Sequence, residues 1–332
     1  MTVTLEQIEE AARRLAGQAV VTPLLESPAL NRRIGGRLLL KAECLQRTGS
    51  FKFRGAFARL SALDPGARRA GVVAYSSGNH AQAVAAAAKM LGITAVIVMP
   101  ADAPHAKLAA TRDWGAEIVT YDRYRDDREA IGTKLATERG ATLVPPYDDE
   151  GIIAGQGTLG LELAAQAAAM GIALDAVLIP CGGGGLTAGT ATALAVRAPE
   201  AAVFAVEPAG FDDTGRSLAA GEPLANAPLS ADHTSFCDAL LAPRPGAITF
   251  AINRRLVKGG LAVSDAEVGR AMAIGFAEFK LVIEPGGAVA LAAALTGKLD
   301  CAGRTVAVVA SGGNVDHAVF AAALSRATRA PS

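Results

Sequence analysis

Short apolar runs alternate with longer alanine-rich or amphipathic stretches along most of this 332-residue chain. Val72 to Tyr75, Ala95 to Met99 and Glu117 to Tyr121 are β-rich runs of strand length; Asn79 to Leu91, Ala103 to Trp114 and Arg125 to Arg139 lie between and after them and have helical length. A second set of strands, Ala176 to Ile179, Val203 to Val206 and Thr305 to Val309, alternates with helices near Gly155 to Met170, Gly185 to Ala198 and Ser264 to Lys280. Strands and helices in turn predict an α/β protein with parallel sheets, and Pro145-Pro146-Tyr147-Asp148-Asp149 is the natural hinge between two such units. The longest apolar stretches, such as Ala288 to Leu295, are too short to cross a bilayer.

Composition narrows the class. The chain is 51% hydrophobic but only 5% aromatic, so its core is built mainly from Ala, Val, Leu and Ile. Its length allows one large or two medium domains. With 32 basic and 32 acidic residues the formal charge is zero, which gives no electrostatic case for nucleic acid or an anionic membrane. Cys44, Cys181, Cys237 and Cys301 are scattered without a CxxC pair, and the N-terminus has no signal-like run, so reduced thiols in a cytoplasmic protein are expected. His80, His105, His233 and His317 lack metal-ligand spacing.

Four segments carry candidate chemistry. In Thr48-Gly49-Ser50-Phe51-Lys52-Phe53-Arg54-Gly55 an amine between aromatic rings opens a helix, a setting in which burial can lower a lysine pKa toward neutrality and make it a nucleophile or a base. Cys181-Gly182-Gly183-Gly184-Gly185-Leu186 follows a strand and precedes a helix, offering free backbone N–H groups to a phosphate with no Cβ in the way. Ser311-Gly312-Gly313-Asn314 presents a hydroxyl at the carboxyl end of a strand, where it can hydrogen-bond a ring nitrogen. Ser76-Ser77-Gly78-Asn79-His80 ends a strand and opens a helix whose amides can hold a carboxylate. Ser77 also reads as a simple helix cap.

Together these segments resemble the fold type II family of pyridoxal phosphate enzymes, a tryptophan synthase β-like fold, and within it the threonine/serine dehydratase and serine racemase branch. The likeness runs from Thr22-Pro23-Leu24 through Lys41 to Lys52 and on to the Ser311 loop. It implies two open parallel-sheet domains with the active site in the cleft between them: residues 1–60 and 149–332 as a discontinuous large domain, and 61–148 as a small mobile one. Lys52 would carry the cofactor and act as the catalytic base, Phe51 would pack on the cofactor ring, and Gly182, Gly183, Gly184, Gly185 and Leu186 would bind its phosphate. Asn79 would meet the ring hydroxyl, Ser311 the pyridine nitrogen, and Ser76, Ser77, Gly78, Asn79 and His80 the substrate carboxylate. A serine at the ring nitrogen, rather than an acid, favours loss of a β-leaving group. The implied reaction is therefore elimination from L-threonine or L-serine to 2-oxobutanoate or pyruvate plus ammonia. Ser77, opposite Lys52, raises serine racemase activity as an alternative. Threo-3-hydroxyaspartate dehydratase is another, with Arg128 as the cation for the second carboxylate.

In Val206-Glu207-Pro208-Ala209-Gly210-Phe211-Asp212-Asp213, two carboxylates in a glycine- and proline-bearing loop can supply hard oxygen ligands. The loop is similar to that branch's divalent cation site, implying Glu207, the Phe211 carbonyl and Asp213 around Mg²⁺, Ca²⁺ or Mn²⁺. The family also implies a homodimer or homotetramer, and the short stretch after Arg326 implies no isoleucine feedback domain. A remote rival is an NAD-dependent oxidoreductase: Gly183-x-Gly185-x-x-Ala188 with Glu207 at the end of the next strand fits a loose dinucleotide fingerprint. It leaves Lys52 and Ser311 without a role. A catalytically silent protein on the same fold would be expected to lack part of the constellation, and all of it is present.

Overall fold

The computed structural model describes residues 3–327 apart from Ser77, Pro104, Arg123, Tyr124 and Ala231. Its described strands form two sheets. One has the order β5-β4-β3-β6, all parallel: β3 (Val72–Tyr75), β4 (Ala95–Pro100), β5 (Glu117–Tyr121) and β6 (Thr142–Leu143). The other has the order β1-β2-β10-β7-β8-β9: β1 (Leu24–Glu26), β2 (Arg37–Lys41), β7 (Ala176–Pro180), β8 (Ala202–Pro208), β9 (Val257–Val263) and β10 (Thr305–Val309). Only the β1–β2 pair in it is antiparallel.

Parallel strands are covered on both faces by their crossover helices, so they read as continuous apolar runs. The side chains alternate accordingly. Leu38 and Leu40 of β2 and Val306 and Val308 of β10 join one buried cluster, while Leu39, Ala307 and Val309 join another on the opposite face. In the small sheet Val72 and Ala74 face one core, and Val73 and Tyr75 the other.

The first part of the chain adds helices α1 (Leu5–Leu15), α2 (Pro28–Ile34), α3 (Lys52–Ser61), α4 (Pro65–Ala70), α5 (Asn79–Leu91), α6 (His105–Asp113) and α7 (Arg128–Arg139). The remainder adds α8 (Glu150–Ala169), α9 (Gly185–Arg197), α10 (Asp213–Ala220), α11 (Ala247–Leu256), α12 (Asp265–Phe279), α13 (Pro285–Leu295) and α14 (His317–Ala327). Two helix starts differ from the sequence expectation because an aspartate caps them. α7 begins at Arg128, after Asp127, whose side chain accepts the N–H groups of Glu129 and Ala130. α8 begins at Glu150, earlier than Gly155, after Asp149, which accepts the N–H of Ile152. The backbones of α3 and α8 nearly touch: a Cβ on Gly155 would lie 2.6 Å from the Cα of Gly55.

Behind α3 lies a buried ionic cluster. Arg54 donates to both oxygens of Glu43 at 2.8 Å and to Glu162 at 2.7 and 2.8 Å, and the fully buried Lys41 reaches Glu162 at 2.8 Å. Burial alone would raise the Glu43 pKa, but the Arg54 guanidinium outweighs it and holds the carboxyl below its usual range. The cluster ties β2 and α8 to the helix that begins with Lys52.

Candidate active site

The loops at the carboxyl ends of β3, β7 and β10 converge with the start of α3, as expected for the binding crevice of open parallel sheets. Lys52 is delivered by a left-handed residue, Thr48 at φ 59°, and by backbone stitches to the neighbouring loop. The Phe51 N–H donates to the Ser311 carbonyl at 3.0 Å, the Gly313 N–H donates to that of Gly49 at 2.9 Å, and Ser50 bridges to Gly312. The sequence-distant Lys52 and Ser311 are thereby locked side by side. The Lys52 amine donates to the Pro146 carbonyl at 2.6 Å and lies 5.1 Å from the centre of the Phe51 ring. Burial brings its pKa down to about 8.

After β7 and Cys181 the four glycines lead into α9. Gly184 caps that helix at φ +91°, in the left-handed region, and a Cβ on Gly183 would collide with the Tyr147 ring. Only residues without side chains fit here, which leaves the N-terminal N–H groups of a 13-residue helix open to an anion.

Ser76, Gly78, Asn79 and His80 line the same cavity, a cleft of about 150 Å³ bordered also by Phe51, Lys52, Gly182 to Leu186 and Ser311. Ser77, expected here as a second base, lies outside the described residues. His80 is buried; its Nε2 is 2.9 Å from the Val144 carbonyl, and burial together with the nearby Lys52 pushes its pKa down to about 3. It is therefore neutral at ordinary pH, and since a carbonyl can only accept, the proton sits on Nε2. Asn79 is fixed from both sides: its Nδ2 donates to Glu284 at 2.6 Å and its Oδ1 accepts from Asn314 at 2.8 Å.

Sequence reasoning missed several lining residues. Glu284, Tyr75 and Tyr147 all border the cavity. Glu284 is the cap of α13, and the only local signal was the helix-opening Pro285-Gly286-Gly287 after it. Arg128, expected as a reader of a second carboxylate, does line the cavity, its guanidinium 6.0 Å from the Tyr75 ring.

These residues suit pyridoxal phosphate. A Cβ at Gly183 or Gly184 would collide with Tyr147 or with Asn253, so the cradle stays bare backbone; the amine is partly deprotonated near neutral pH, and a buried hydroxyl, Ser311, borders the same space.

The acidic loop also keeps its carboxylates together. Buried Glu207 accepts the N–H groups of Thr214 at 2.9 Å and Gly215 at 2.8 Å. Burial, with Asp213 beside it, raises its pKa to about 8. Asp213 accepts from Asn226 at 2.6 Å through Oδ1, but its buried Oδ2 has no hydrogen-bond partner, and burial raises its pKa to about 6. Phe211 is buried, its ring stacked on His233 at 4.4 Å. Among the described residues no group of three or more His, Cys, Asp or Glu side chains could hold a metal. A cation here would rely on two carboxylates and backbone oxygen, and the unpartnered Oδ2 fits that role. The same geometry counts against the dinucleotide reading, because both Glu207 oxygens accept N–H groups at the start of α10 and the side chain is fully buried, away from a surface where a ribose could lie.

Among the described residues no helix is long and apolar enough to cross a membrane. Comparison with known proteins gives a consistent result. The family model described as "Pyridoxal-phosphate dependent enzyme" matches residues 15–312. An L-threo-3-hydroxyaspartate ammonia-lyase of Pseudomonas sp is 44% identical over 95% of this chain and 96% of that protein. A serine racemase of Schizosaccharomyces pombe is 39% identical over 97% of this chain and 98% of its own length. The crystal structure of a serine racemase from Dictyostelium discoideum superposes with a TM-score of 0.87 at 38% identity, covering 95% of this chain and 100% of that one. A crystal structure of threonine deaminase superposes equally well, with a TM-score of 0.87 at 45% identity over 94% of this chain and 99% of that one.

Proposed function

The chain belongs to the pyridoxal-phosphate dependent enzymes, and from that premise we propose that it is an ammonia-lyase acting on L-threonine and L-serine, forming 2-oxobutanoate or pyruvate plus ammonia. The observation that carries this reading is an amine with a pKa near 8, set in one cleft between a glycine cradle and a neutral hydroxyl. Pyridoxal phosphate supplies an aldehyde that condenses with amines and a ring that takes up electron density when a bond at the substrate Cα breaks. Lys52 would hold it, with Gly182 to Leu186 around its phosphate, Phe51 on its ring, Asn79 at the ring hydroxyl and Ser311 at the ring nitrogen.

The protein's own steps are few. Backbone N–H groups at the start of α5, that of His80 among them, hold the substrate carboxylate with the Ser76 hydroxyl alongside, while the His80 ring stays turned to the Val144 carbonyl. Lys52, freed as an amine, takes the Cα proton; near neutral pH a sizeable fraction of it is unprotonated and ready. His80 stays neutral and adds no competing charge. Ser311 would offer the ring nitrogen a neutral hydroxyl rather than a carboxylate, favouring early departure of the β-hydroxyl, which takes up a proton and leaves as water; the released enamine is then hydrolysed by water to the oxo acid and ammonia. Closure of the 61–148 unit over the substrate would exclude water. Glu207, the Phe211 carbonyl and Asp213 would hold a divalent cation in a supporting role, and the unpartnered Asp213 Oδ2 supports this. A homo-oligomer working in the cytoplasm completes the reading.

Arg128 favours a second substrate. Its guanidinium borders the cleft, where it could pair with the second carboxylate of L-threo-3-hydroxyaspartate. Ser77 would be the base for D-serine formation.

The test is a product assay over L- and D-hydroxyamino acids that separates oxo acid from inverted amino acid. Ammonia release from L-threonine should fall by roughly three orders of magnitude or more in Lys52→Ala, with loss of the near-visible band of the loaded protein. Equal rates in variant and wild type defeat the assignment. Loss of hydroxyaspartate turnover alone in Arg128→Ala would identify that residue as the second-carboxylate reader; a uniform loss would not.

A further inference from the structure

The glycine cradle is held open from behind. α11 packs against the tetraglycine loop, and two of its buried side chains take the loop's carbonyls. Thr249 Oγ1 donates to the Gly183 carbonyl at 2.7 Å, which also accepts the Gly246 N–H at 3.3 Å. Asn253 Nδ2 donates to the Gly184 carbonyl at 3.4 Å. In a trans peptide the C=O and the following N–H point in opposite directions, and the described chain has no cis peptide. Anchoring the Gly183 carbonyl toward α11 therefore turns the Gly184 N–H away from it, toward the cleft those glycines line, while the Gly184 carbonyl, held along α9 by the Ala188 N–H at 2.8 Å and braced by Asn253, leaves the Gly185 N–H at the free start of that helix. Successive N–H groups that converge in this way, with one residue left-handed, form an anion-binding concavity.

The start of α11 is itself held. Asp148, from the segment that joins the two sheets, accepts the N–H groups of Ala247 and Ile248 at 2.9 Å and that of Thr249 at 3.2 Å. Gly246 must be glycine for the carboxylate to sit there, since a Cβ would run into it. The carboxylate occupies the positive end of α11, which leaves α9 as the helix end available to the ligand.

We infer that Thr249 and Asn253 are positioning residues for the cofactor phosphate, aiming the Gly184 and Gly185 N–H groups, and that Asp148 links this aim to the hinge. The inference rests on the pyridoxal phosphate reading. It predicts a defect specific to the phosphate, which general loosening of the fold would not produce.

The experiment strips the full-length holoenzyme of its cofactor and titrates back either pyridoxal phosphate or phosphate-free pyridoxal, following absorbance. Thr249→Val, nearly the same shape without the hydroxyl, should weaken pyridoxal phosphate about tenfold or more while pyridoxal stays within about twofold. Thr249→Ser should restore binding, and the ³¹P resonance of the bound cofactor should shift in the valine variant and return in the serine one. Asp148→Asn should weaken pyridoxal phosphate in the same selective way by about threefold or more, and it carries the test if the valine variant does not fold. Equal weakening of both ligands, or none, overturns the inference. A wild type that binds no pyridoxal phosphate would instead strike down the functional reading itself.

Discussion

At the scale of single residues, Lys52 sets the pH behaviour. An ordinary lysine, with a pKa of about 10.4, is almost fully protonated near neutrality, whereas burial brings this one to about 8. Capture of pyridoxal phosphate by cofactor-free protein should therefore quicken as pH rises through about 8 and level off above it; a rate still climbing toward pH 10 would show an unshifted amine. Stability carries the same signature. The folded state holds this proton less tightly than the unfolded chain, so unfolding takes up a proton between the two pKa values. Cofactor-free protein should gain stability as pH rises from about 8 to about 10, and Lys52→Met should remove that slope. Lys52, the glycines and Ser311 were legible because each lies in a contiguous motif with its own chemistry. Glu284 and Thr249 were not, because their roles exist only once distant segments meet.

Elements show the same division. β3, β4 and β7, buried on both faces, announced themselves as apolar runs, but β9, Val-Lys-Gly-Gly-Leu-Ala-Val, hides behind two glycines and an exposed Lys258 at the sheet edge. α13 was noted in the sequence only as an apolar stretch. Pro285 to Ala294 are all buried, so no polar face gives it a period. α3 depends on the ionic cluster beneath it. Arg54→Met would leave Glu43, and part of Glu162, without a compensating charge, and should cost about 3–5 kcal/mol, visible as a lowered thermal midpoint with the cofactor bound or absent. A variant as stable as wild type would mean that Lys41 and the surrounding hydrogen bonds suffice. β2 and the Glu43 turn, which supply half of the cluster, had no helical or strand reading in the sequence, so the network was invisible there.

For the molecule as a whole, the acidic loop gives a test that does not depend on the reaction. If a divalent cation bridges Glu207 and Asp213, a chelator should lower the melting temperature by about 2–4 °C or more, and Asp213→Asn should blunt the response. A protein indifferent to chelator would leave the unpartnered carboxylate oxygen to be met by water. The alternation of strands and helices foretold two parallel sheets, but not the order of their strands, which depends on register and crossovers rather than on local pattern. In that order one detail reaches beyond the finished enzyme. β10, the last of the described strands, lies between β2 and β7. During synthesis on the ribosome, the nascent polypeptide carries both flanking strands long before their shared partner emerges. Until it does, each has an unsatisfied hydrogen-bonding edge, the kind of surface that recruits chaperones or aggregates.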